Sequence, residues 1–271
     1  MKVYGIDFTS RPTNRKAITC AQCGLVGETL TFHNVSRFTS FDLFEAWLNT
    51  SGPWTAGLDF PFGQSQRFIR NIGWPESWAG YVALVNTLSR EEFRKALDDY
   101  RAPRETGDKE HQRSGDKATG AISPQKLYGV PVGLMFFEGA KRLLASGVHV
   151  PGLVSGDQSR RVVEAYPGVL ARRVTRNGYK TDARSKQTAA HAAARQKIVE
   201  YLTSDEIHNV YGVKVNFEQP LEDDPSGDLL DSVLCAVQAA WAWKQRDVIE
   251  QHLTVAHRVE GWIADPLGLG L

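Results

Sequence analysis

The sequence contains only three cysteines among its 271 residues, an odd number. Cys20 and Cys23 form a C-x-x-C motif, but no second C-x-x-C and no histidine pair at zinc-finger spacing accompanies it. Because Cys20 lies in the strand-like segment AITCAQCGL, we interpret both cysteines as strand residues, and a zinc or redox site stays open as the alternative. This cysteine usage fits a reducing cytoplasm.

Long hydrophobic runs and targeting segments are also missing. No apolar run approaches the about 20 residues that a membrane-spanning helix needs, and the first residues do not have the pattern of a signal peptide. We therefore expect a cytoplasmic protein with no membrane partner. No internal repeat, low-complexity tract or linker divides the chain, so we predict a single domain over residues 1–271 with an insertion at about 64–134.

Charge of one sign is not in excess, because 32 basic and 31 acidic residues leave a net charge of +1. No bulk electrostatic field therefore indicates a nucleic-acid partner, and such a partner would have to bind a local basic patch. The long polar segment over residues 101–126 contains several basic side chains, Lys117 and Lys126 among them. It is either a solvated loop of mixed charge or a mobile arm that contacts phosphates.

What the sequence does contain is a series of carboxylates at the ends of predicted strands. Residues 2–10, KVYGIDFTS, form an apolar, β-rich run in which Gly5 indicates close approach by another backbone or a ligand. Asp7 ends this run, and the hydroxyls of Thr9 and Ser10 could orient it or contact a phosphate. A carboxylate in this position either faces a ligand crevice or caps the turn after the strand, and this segment alone fits both interpretations.

The following segments predict what surrounds the strand of Asp7. Residues 15–24 and 28–35 look like a hairpin, which makes the first three strands antiparallel. SFDLFEAWLNTSG then has helical spacing with Ser40 as N-cap, and WTAGLDFPFG is a second apolar strand that ends in Asp59. A strand, a crossing helix and a second strand make the two strands parallel, so we expect Asp59 at the same sheet edge as Asp7.

Later segments contribute three more acids. RRVVEAYPG is a third strand candidate that ends in Glu164 before Pro167. The helix predicted over residues 228–243 is apolar nearly all the way round, yet Asp228 and Asp231 are three residues apart and share one of its faces. These two acids are either an N-cap and a first-turn acid or, because buried like charges repel, ligands of a divalent metal.

Taken together, these acids predict a cation site. Three strands that end in carboxylates at one edge, beside two acids on a buried helix, are unfavourable without a positive charge between them. Clustered carboxylates bind hard cations such as Mg²⁺ or Mn²⁺ through oxygen. Two such ions about 4 Å apart activate a water and stabilise the leaving oxygen of a phosphodiester, without a protein nucleophile.

Several of these segments, in this order, resemble the family catalogued as domain of unknown function 429, described as predicted nucleases of the RNase H fold. The matching pieces span nearly the whole chain: GIDFTS, GLDFPFG, VVEAYPG, GDLLDSVLCAVQAAW and EGWIAD. The resemblance implies an α/β fold whose mixed five-stranded sheet, with the first three strands antiparallel, is flanked by helices and carries a helical and loop insertion. The last helix is also similar to that of RuvC-type junction resolvases, which have two acids three residues apart before a run of small residues.

By that resemblance, acids of this chain occupy catalytic and metal-binding positions. Asp7 is implied to bridge the metal ions. Asp59 and Glu164 match the acids of the next two catalytic strands, and Asp228 and Asp231 match the pair on the last helix. RuvC-type enzymes usually have Glu where this chain has Asp59, so the shorter side chain is a departure from the pattern.

We therefore predict a Mg²⁺- or Mn²⁺-dependent nuclease that hydrolyses phosphodiester bonds of DNA or RNA by a two-metal mechanism. Two alternatives stay open. A phosphotransferase of the actin-like or sugar-kinase type shares the fold but needs a second domain and Gly-rich nucleotide loops, and a non-catalytic RNase H-fold binding protein needs no metal. Phosphate contacts are expected from the polar segment and from exposed positions of the Ala-rich helix predicted over residues 182–204: Lys117, Lys126, Lys186 and Arg195.

Overall fold

The computed structural model describes residues 1–181 and 183–270. The chain begins with three strands and continues with helices between the remaining strands. The strands are β1 (Lys2–Asp7), β2 (Ile18–Val26), β3 (Thr29–Phe38), β4 (Trp54–Leu58), β5 (Val148–His149), β6 (Asp157–Glu164) and β7 (Lys214–Asn216). The helices are α1 (Phe41–Leu48), α2 (Gln66–Ile72), α3 (Trp78–Asn86), α4 (Arg90–Arg101), α5 (Ser114–Thr119), α6 (Val132–Ser146), α7 (Pro167–Val174), α8 (Ala189–Leu202), α9 (Asp205–Tyr211), α10 (Asp228–Lys244), α11 (Arg246–His252), α12 (His257–Glu260) and α13 (Pro266–Leu269), with a 3-10 turn over Arg184–Lys186.

The described strands form one mixed sheet of seven strands in the order β5-β6-β4-β1-β2-β3-β7. β2 pairs antiparallel with both β1 and β3, as the hairpin pattern predicts, and β4 lies parallel to β1 on its other side. The α/β class with flanking helices is confirmed. The predicted count of five strands is wrong, because β5 and β7, with two and three residues, extend the two edges and are too short for an alternating pattern.

Helix α10 lies directly on β1 and β4 because glycine leaves room for it. A Cβ atom on Gly5 would come 1.8 Å from the backbone oxygen of Ser232, and one on Gly57 would come 2.4 Å from that of Cys235. Gly5 and Gly57 are register partners on the two parallel strands, so the helix crosses both at the same level. The close approach that Gly5 predicts is confirmed, and the neighbour is a helix backbone.

The sheet buries a hydrophobic core on each face. The core under α10 and α8 contains Val3 and Val163, and the core under α3, α4 and α6 contains Ile6 and Leu58. Side chains alternate between faces along a strand, so successive residues of β1 belong to different cores. Burial on both faces explains why residues 3–6 of β1 and most of β4 are apolar instead of alternating with polar residues.

The region predicted as an insertion, residues 64–134, packs against the second of these cores. Helix α4 buries Phe93, Leu97 and Tyr100, as its helical spacing predicts. The interpretation of the polar segment that follows as a solvated loop is wrong in its middle part, which contains α5 and buries Arg113 to 2% exposure. An arginine is buried to this extent only when carboxylates pair with it.

The helices predicted after Ser40 and over residues 182–204 are both observed, with small differences. Helix α1 begins after Ser40, whose side chain accepts a hydrogen bond from the Leu43 N–H. The Ala-rich helix is shorter than predicted, because α8 begins at Ala189, while Asp182 lies outside the described residues. The segment NVYGVKVNFE contains the end of α9 and the strand β7. EGWIAD is an ordered tail in which Ile263 forms a bridge with the end of β6.

Cys20 and Cys23 both lie in β2, as predicted, and both are buried free thiols. They belong to the cores on opposite faces of the sheet. Burial raises the pKa of Cys23 to about 12, and it raises the pKa of Cys20 as well. Buried, protonated thiols of this kind are structural residues. None of the described helices is long and apolar enough to cross a membrane.

Candidate metal centre

Asp7 and Asp59 lie side by side where the central parallel strands end. β1 and β4 are in register through Ile6 and Leu58, so the next residue of each strand is an aspartate. The Asp59 N–H donates to the Ile6 carbonyl at 2.9 Å, which continues the register one step beyond β4. Each aspartate follows, by two residues, a glycine that contacts α10, so both side chains face α10.

Helix α10 supplies the third carboxylate. Its backbone meets Gly57 at Cys235, and Asp231 lies one turn earlier in the helix, near the ends of β1 and β4. One oxygen atom from each of Asp7, Asp59 and Asp231 lies within 4.8 Å of the others, and these three carboxylates form the acid cluster. When a cation lies about 2.1–2.4 Å from each of its oxygen ligands, two oxygens on opposite sides of it are about 4.2–4.8 Å apart. One ion therefore fits among the three carboxylates.

Burial and mutual repulsion oppose ionisation of the acid cluster. Burial raises the pKa of Asp7 well above its ordinary value, against the attraction of Lys180 and together with the repulsion of Asp231. Burial, and to a smaller extent the repulsion of Asp231 and Glu164, raises the pKa of Asp59 to about 7, although the attraction of Lys180 opposes the shift. Burial and repulsion therefore favour the neutral form of these carboxyl groups, and a bound cation would favour the carboxylate form.

Asp231 is held by two consecutive residues that the sequence analysis missed. The Tyr179 hydroxyl donates to Oδ1 of Asp231 at 2.5 Å, and Nζ of Lys180 donates to Oδ2. Burial lowers the pKa of Lys180, but the negative charge of Asp231 and of the other two acids outweighs burial and raises it well above its ordinary value. Lys180 is therefore a permanent positive charge at the acid cluster.

Arg195 supports the backbone of this segment from α8. Its predicted exposure is wrong, because the residue is only 6% exposed. One guanidinium NH donates to the Tyr179 carbonyl at 2.9 Å, and Nε donates to the Glu222 carbonyl at 2.7 Å. The Ala-rich sequence of α8 has no strong apolar stripe, so its buried face could not be identified from periodicity.

Asp228 lies near the acid cluster and pairs with a second lysine. Gly227 is the N-cap of α10, so the interpretation of Asp228 as N-cap is wrong. Its Oδ1 accepts a hydrogen bond from Nζ of Lys16 at 2.7 Å. The charge of Asp228 contributes to the raised pKa of Asp7, but its oxygens are not among those that lie within 4.8 Å of one another.

Glu164 ends β6 at the same end of the parallel strands as Asp7 and Asp59, but its side chain lies on the opposite face of the sheet. Its register partner on β4 is Leu58, and paired residues on neighbouring strands point to the same side. Glu164 therefore faces the core that contains Leu58, whereas Asp7 and Asp59 face α10. The expectation that Glu164 shares one site with the other acids is corrected by this register.

A buried arginine neutralises Glu164. The Arg113 guanidinium donates to the two oxygens of Glu164 at 2.5 and 2.8 Å and to Oδ1 of Asp116 at 2.7 Å. These three side chains form the arginine network. Burial opposes the charge on Arg113, but Asp116 and Glu164 outweigh it and raise its pKa well above the ordinary value. A cation bound to Glu164 would lie beside the positive charge of this guanidinium, which would repel it.

A cavity of about 420 Å³ opens beside Asp7 and Asp59. Two cationic residues, Lys16 and Lys180, line it beside two of the clustered acids, together with three residues that carry hydroxyl groups: Thr9, Thr181 and Ser226. The two lysines belong to the segments NRKA and NGYK, and neither segment has a sequence pattern that identifies a functional site. Negatively and positively charged side chains therefore line the same cavity.

The other predicted phosphate contacts have different surroundings. The guanidinium of Arg90, the first residue of α4, donates to the backbone oxygen of Ser10 at 2.9 Å and to its hydroxyl at 3.2 Å. Lys117 lines a separate cavity, and Lys186 is exposed without lining the cavity of the acid cluster. Lys126 is half-buried and lies beside Gly129, which lines the cavity.

The acid cluster suits a hard cation, because its three donor atoms are carboxylate oxygens and, in the part of the chain that the structure describes, no sulfur or imidazole belongs to the group. A family model described as "Protein of unknown function (DUF429)" matches residues 5–254, a range that contains every residue of the acid cluster and of the arginine network. No curated protein matches the chain. No solved structure matches it either.

Proposed function

The chain belongs to the DUF429 family, and we propose that it is a divalent-cation-dependent phosphodiesterase that hydrolyses nucleic acid. The observation that carries the proposal is the acid cluster, in which Asp7, Asp59 and Asp231 bring oxygen atoms within 4.8 Å of one another. Buried carboxylates this close together are unfavourable without added positive charge, and oxygen ligands of this type bind Mg²⁺ or Mn²⁺.

The sheet supports an RNase H-like architecture as part of this proposal. β3, β2, β1, β4 and β6 are consecutive neighbours, and β2 is antiparallel to its two partners, which is the arrangement implied by the family resemblance. The short strands β5 and β7 are additions at the edges of that group. Acids at the ends of β1 and β4 and in the first turn of a late buried helix complete the similarity.

The residues of the acid cluster are positioned to hold a cation without rearrangement of the backbone. Asp7 and Asp59 are fixed by strand pairing, and Asp231 is fixed by α10 and by the Tyr179 hydroxyl. When bound, the cation supplies a water of lowered pKa and stabilises charge on the phosphoryl oxygens. Lys180 lines the cavity with its side chain 40% exposed, so it is placed to donate to a phosphate oxygen of the substrate.

The contacts favour one resident cation in place of the two expected from the family resemblance. Among the described residues, the carboxylates that lie close enough to share an ion are those of the acid cluster, and the group includes neither Glu164, which pairs with the buried Arg113, nor Asp228. A second ion bound to Glu164 would place its charge beside that buried guanidinium, which is unfavourable. We therefore propose that the acid cluster alone forms the metal centre.

A metal-dependence assay tests the proposed function. Protein stripped of metal with EDTA is incubated with labelled DNA and RNA oligonucleotides, and cleavage is measured with Mn²⁺, with Mg²⁺ and with neither. We expect cleavage only with a divalent ion and its loss in Asp59→Asn. Asp42→Asn, which removes an exposed carboxylate at the start of α1, is the matched control and keeps its activity. Cleavage that persists in EDTA contradicts the proposal, and metal-independent binding without cleavage favours a non-catalytic binding protein.

A further inference from the structure

The rim of the cavity carries apolar side chains that the fold leaves uncovered. In the rim segment, residues 126–131, Tyr128 and Val130 are each 62% exposed, and Val130 lines the cavity together with Asp7. Ile122, shortly before this segment, is 40% exposed. A group of exposed apolar residues beside a cavity is typical of a binding surface.

The rim segment is fixed in place by the residues around its exposed side chains. Leu127 is buried, and the Gly133 N–H donates to the Lys126 carbonyl at 2.9 Å, which attaches the segment to the first turn of α6. Gly129 has φ +63°, a conformation that glycine adopts without strain, and it forms the turn directly after Tyr128. Because the backbone is already anchored on both sides of Tyr128, binding of a partner has to immobilise only the side chain.

Positive charge lies next to the exposed ring and inside the cavity. Nζ of Lys126 is 5.0 Å from the centre of the Tyr128 ring. Lys180 lines the same cavity as Val130. An aromatic face with ammonium groups beside it recognises a ligand that has both a planar π-system and phosphates, which is the chemistry of a nucleotide chain with unpaired bases.

From these contacts we infer that the rim segment binds single-stranded nucleic acid. A base stacks on Tyr128, phosphates contact Lys126 and Lys180, and the strand enters the cavity of the acid cluster. This inference rests on the proposed function, because it names the form of nucleic acid that reaches the carboxylates. A duplex keeps its bases paired and stacked on one another, so it offers no free face to Tyr128.

The size of the cavity favours the same ligand. Its volume of about 420 Å³ lies near the lower end of the range of about 300–1,000 Å³ that is usual for ligand sites. A space of this size encloses a short piece of one strand and not a double helix. The net charge of +1 fits as well, because gripping a long duplex requires an extended basic surface.

Fluorescence anisotropy of a labelled oligonucleotide tests the inference. Binding of a short single strand and of its duplex is measured with Ca²⁺ as the divalent ion. We expect tighter binding of the single strand, a roughly 5- to 30-fold loss of affinity in Tyr128→Ala and recovery in Tyr128→Trp. Val26→Ala is the matched control, because Val26 is 80% exposed at the end of β2 far from Asp7 in the register of β1 and β2.

Two further measurements separate stacking from general destabilisation. A 2-aminopurine base in the strand should lose fluorescence on binding to the wild-type protein and not in the presence of Tyr128→Ala, because stacking quenches it. Lys126→Gln should reduce the slope of log affinity against log salt by about 0.7, the value for one phosphate contact on a single strand.

The outcomes distinguish this inference from the proposed function. Equal affinities of Tyr128→Ala and the wild type, or tighter binding of the duplex, overturn the inference, as does Tyr128-dependent binding of an acidic peptide in place of oligonucleotides. Cleavage with Mn²⁺ is scored separately. Tyr128-dependent binding without any cleavage removes the proposed function and leaves the binding site, whereas Mn²⁺-dependent cleavage without any Tyr128 dependence does the reverse.

Discussion

The acid cluster and the arginine network both lie at the carboxyl ends of the parallel strands, on opposite faces of the sheet. The two groups balance their charges differently. In the arginine network, Arg113 donates to both carboxylates, and the three side chains are at most 3% exposed. In the acid cluster, the three carboxylates attract Lys180, which donates to Asp231 and whose side chain is 40% exposed. The arginine network contains its own cation and lines a cavity of only about 50 Å³, which Asp59 also lines, whereas the acid cluster faces one of about 420 Å³.

This difference shows that the number of buried acids does not by itself identify a cation site. A buried carboxylate is stable when a fixed donor satisfies its oxygens, and Arg113 does so for Glu164. The pKa of Asp59 is raised to about 7, chiefly by burial, and the attraction of Lys180 does not offset this. A site for a bound ion is therefore found where carboxylates outnumber the cations of the chain and solvent has access.

The largest expected effect comes from removing a charge of the acid cluster. Asp7→Asn should lower Mn²⁺-dependent hydrolysis by about 100-fold or more, because metal catalysis supplies several kcal/mol of transition-state stabilisation. The melting temperature should stay unchanged or rise, since like-charge repulsion is removed. Steady-state cleavage and thermal melts on the same preparation check both parts. Full activity in Asp7→Asn, or loss of activity together with unfolding, would contradict this role.

The arginine network should respond in the opposite manner. Arg113→Met leaves two buried carboxylates unpaired, so we expect a loss of about 3–5 kcal/mol in the free energy of unfolding and a drop in melting temperature of order 10 °C. Arg67→Met is the matched control, because Arg67 forms a solvent-exposed pair with Asp108. Its melting temperature should not change. Denaturant unfolding curves measure both variants, and equal stabilities would show that burial of the network adds nothing.

The dependence of stability on pH should also distinguish the acid cluster. In the metal-free protein, Asp59 has a pKa of about 7, whereas an unfolded aspartate has an ordinary pKa of about 4. Between these values the folded state binds more protons than the unfolded state, so stability falls as pH rises from about 4 through about 7. The contribution is roughly 3 kcal/mol.

The difference between wild type and Asp59→Asn isolates this effect from other titrating groups. Thermal melts in EDTA at pH 5 and pH 7.5 should show a larger decrease with pH for the wild type than for Asp59→Asn. Addition of Mn²⁺ at pH 7.5 should recover the wild type only. Identical pH profiles for the two proteins would mean that Asp59 ionises normally in the folded state.

The smallest expected effect concerns the lysine that faces the acid cluster. Lys180→Met removes a positive charge that competes with a bound ion, so we expect Mn²⁺ affinity to increase by several-fold, while the metal-free protein becomes less stable. Isothermal titration and melts in EDTA measure the two changes. Lys95→Met, at an exposed pair with Asp99, is the control and should change neither quantity. Weaker Mn²⁺ binding in Lys180→Met would identify Lys180 as a support of the site.

Much of the acid cluster could be predicted from local pattern. Gly5 and Asp7, like Gly57 and Asp59, form a G-x-D at the end of an apolar strand, and a parallel register brings the two copies together. The glycines also indicate the close approach of a helix, which here is α10 with Asp231. These features are local, so strand order and alternation alone are enough to derive them.

The placement of Glu164 could not be predicted in the same way. In β6 both faces are buried, so Val162 and Val163 are equally apolar and do not reveal which side the next residue takes. Its partner, Arg113, comes from a polar segment whose composition resembles that of a solvated loop. Long-range pairing of this kind is set by tertiary packing, and neither the arginine nor Lys180 carries a periodic signal in the sequence.

The most direct test of the account is the location of a bound ion. Anomalous scattering from crystals grown with Mn²⁺ should show one strong peak coordinated by Asp7, Asp59 and Asp231, with the contact between Arg113 and Glu164 intact. A peak on Glu164 with Arg113 displaced, or no peak among the three aspartates at millimolar Mn²⁺, would contradict the assignment of the acid cluster as the metal centre.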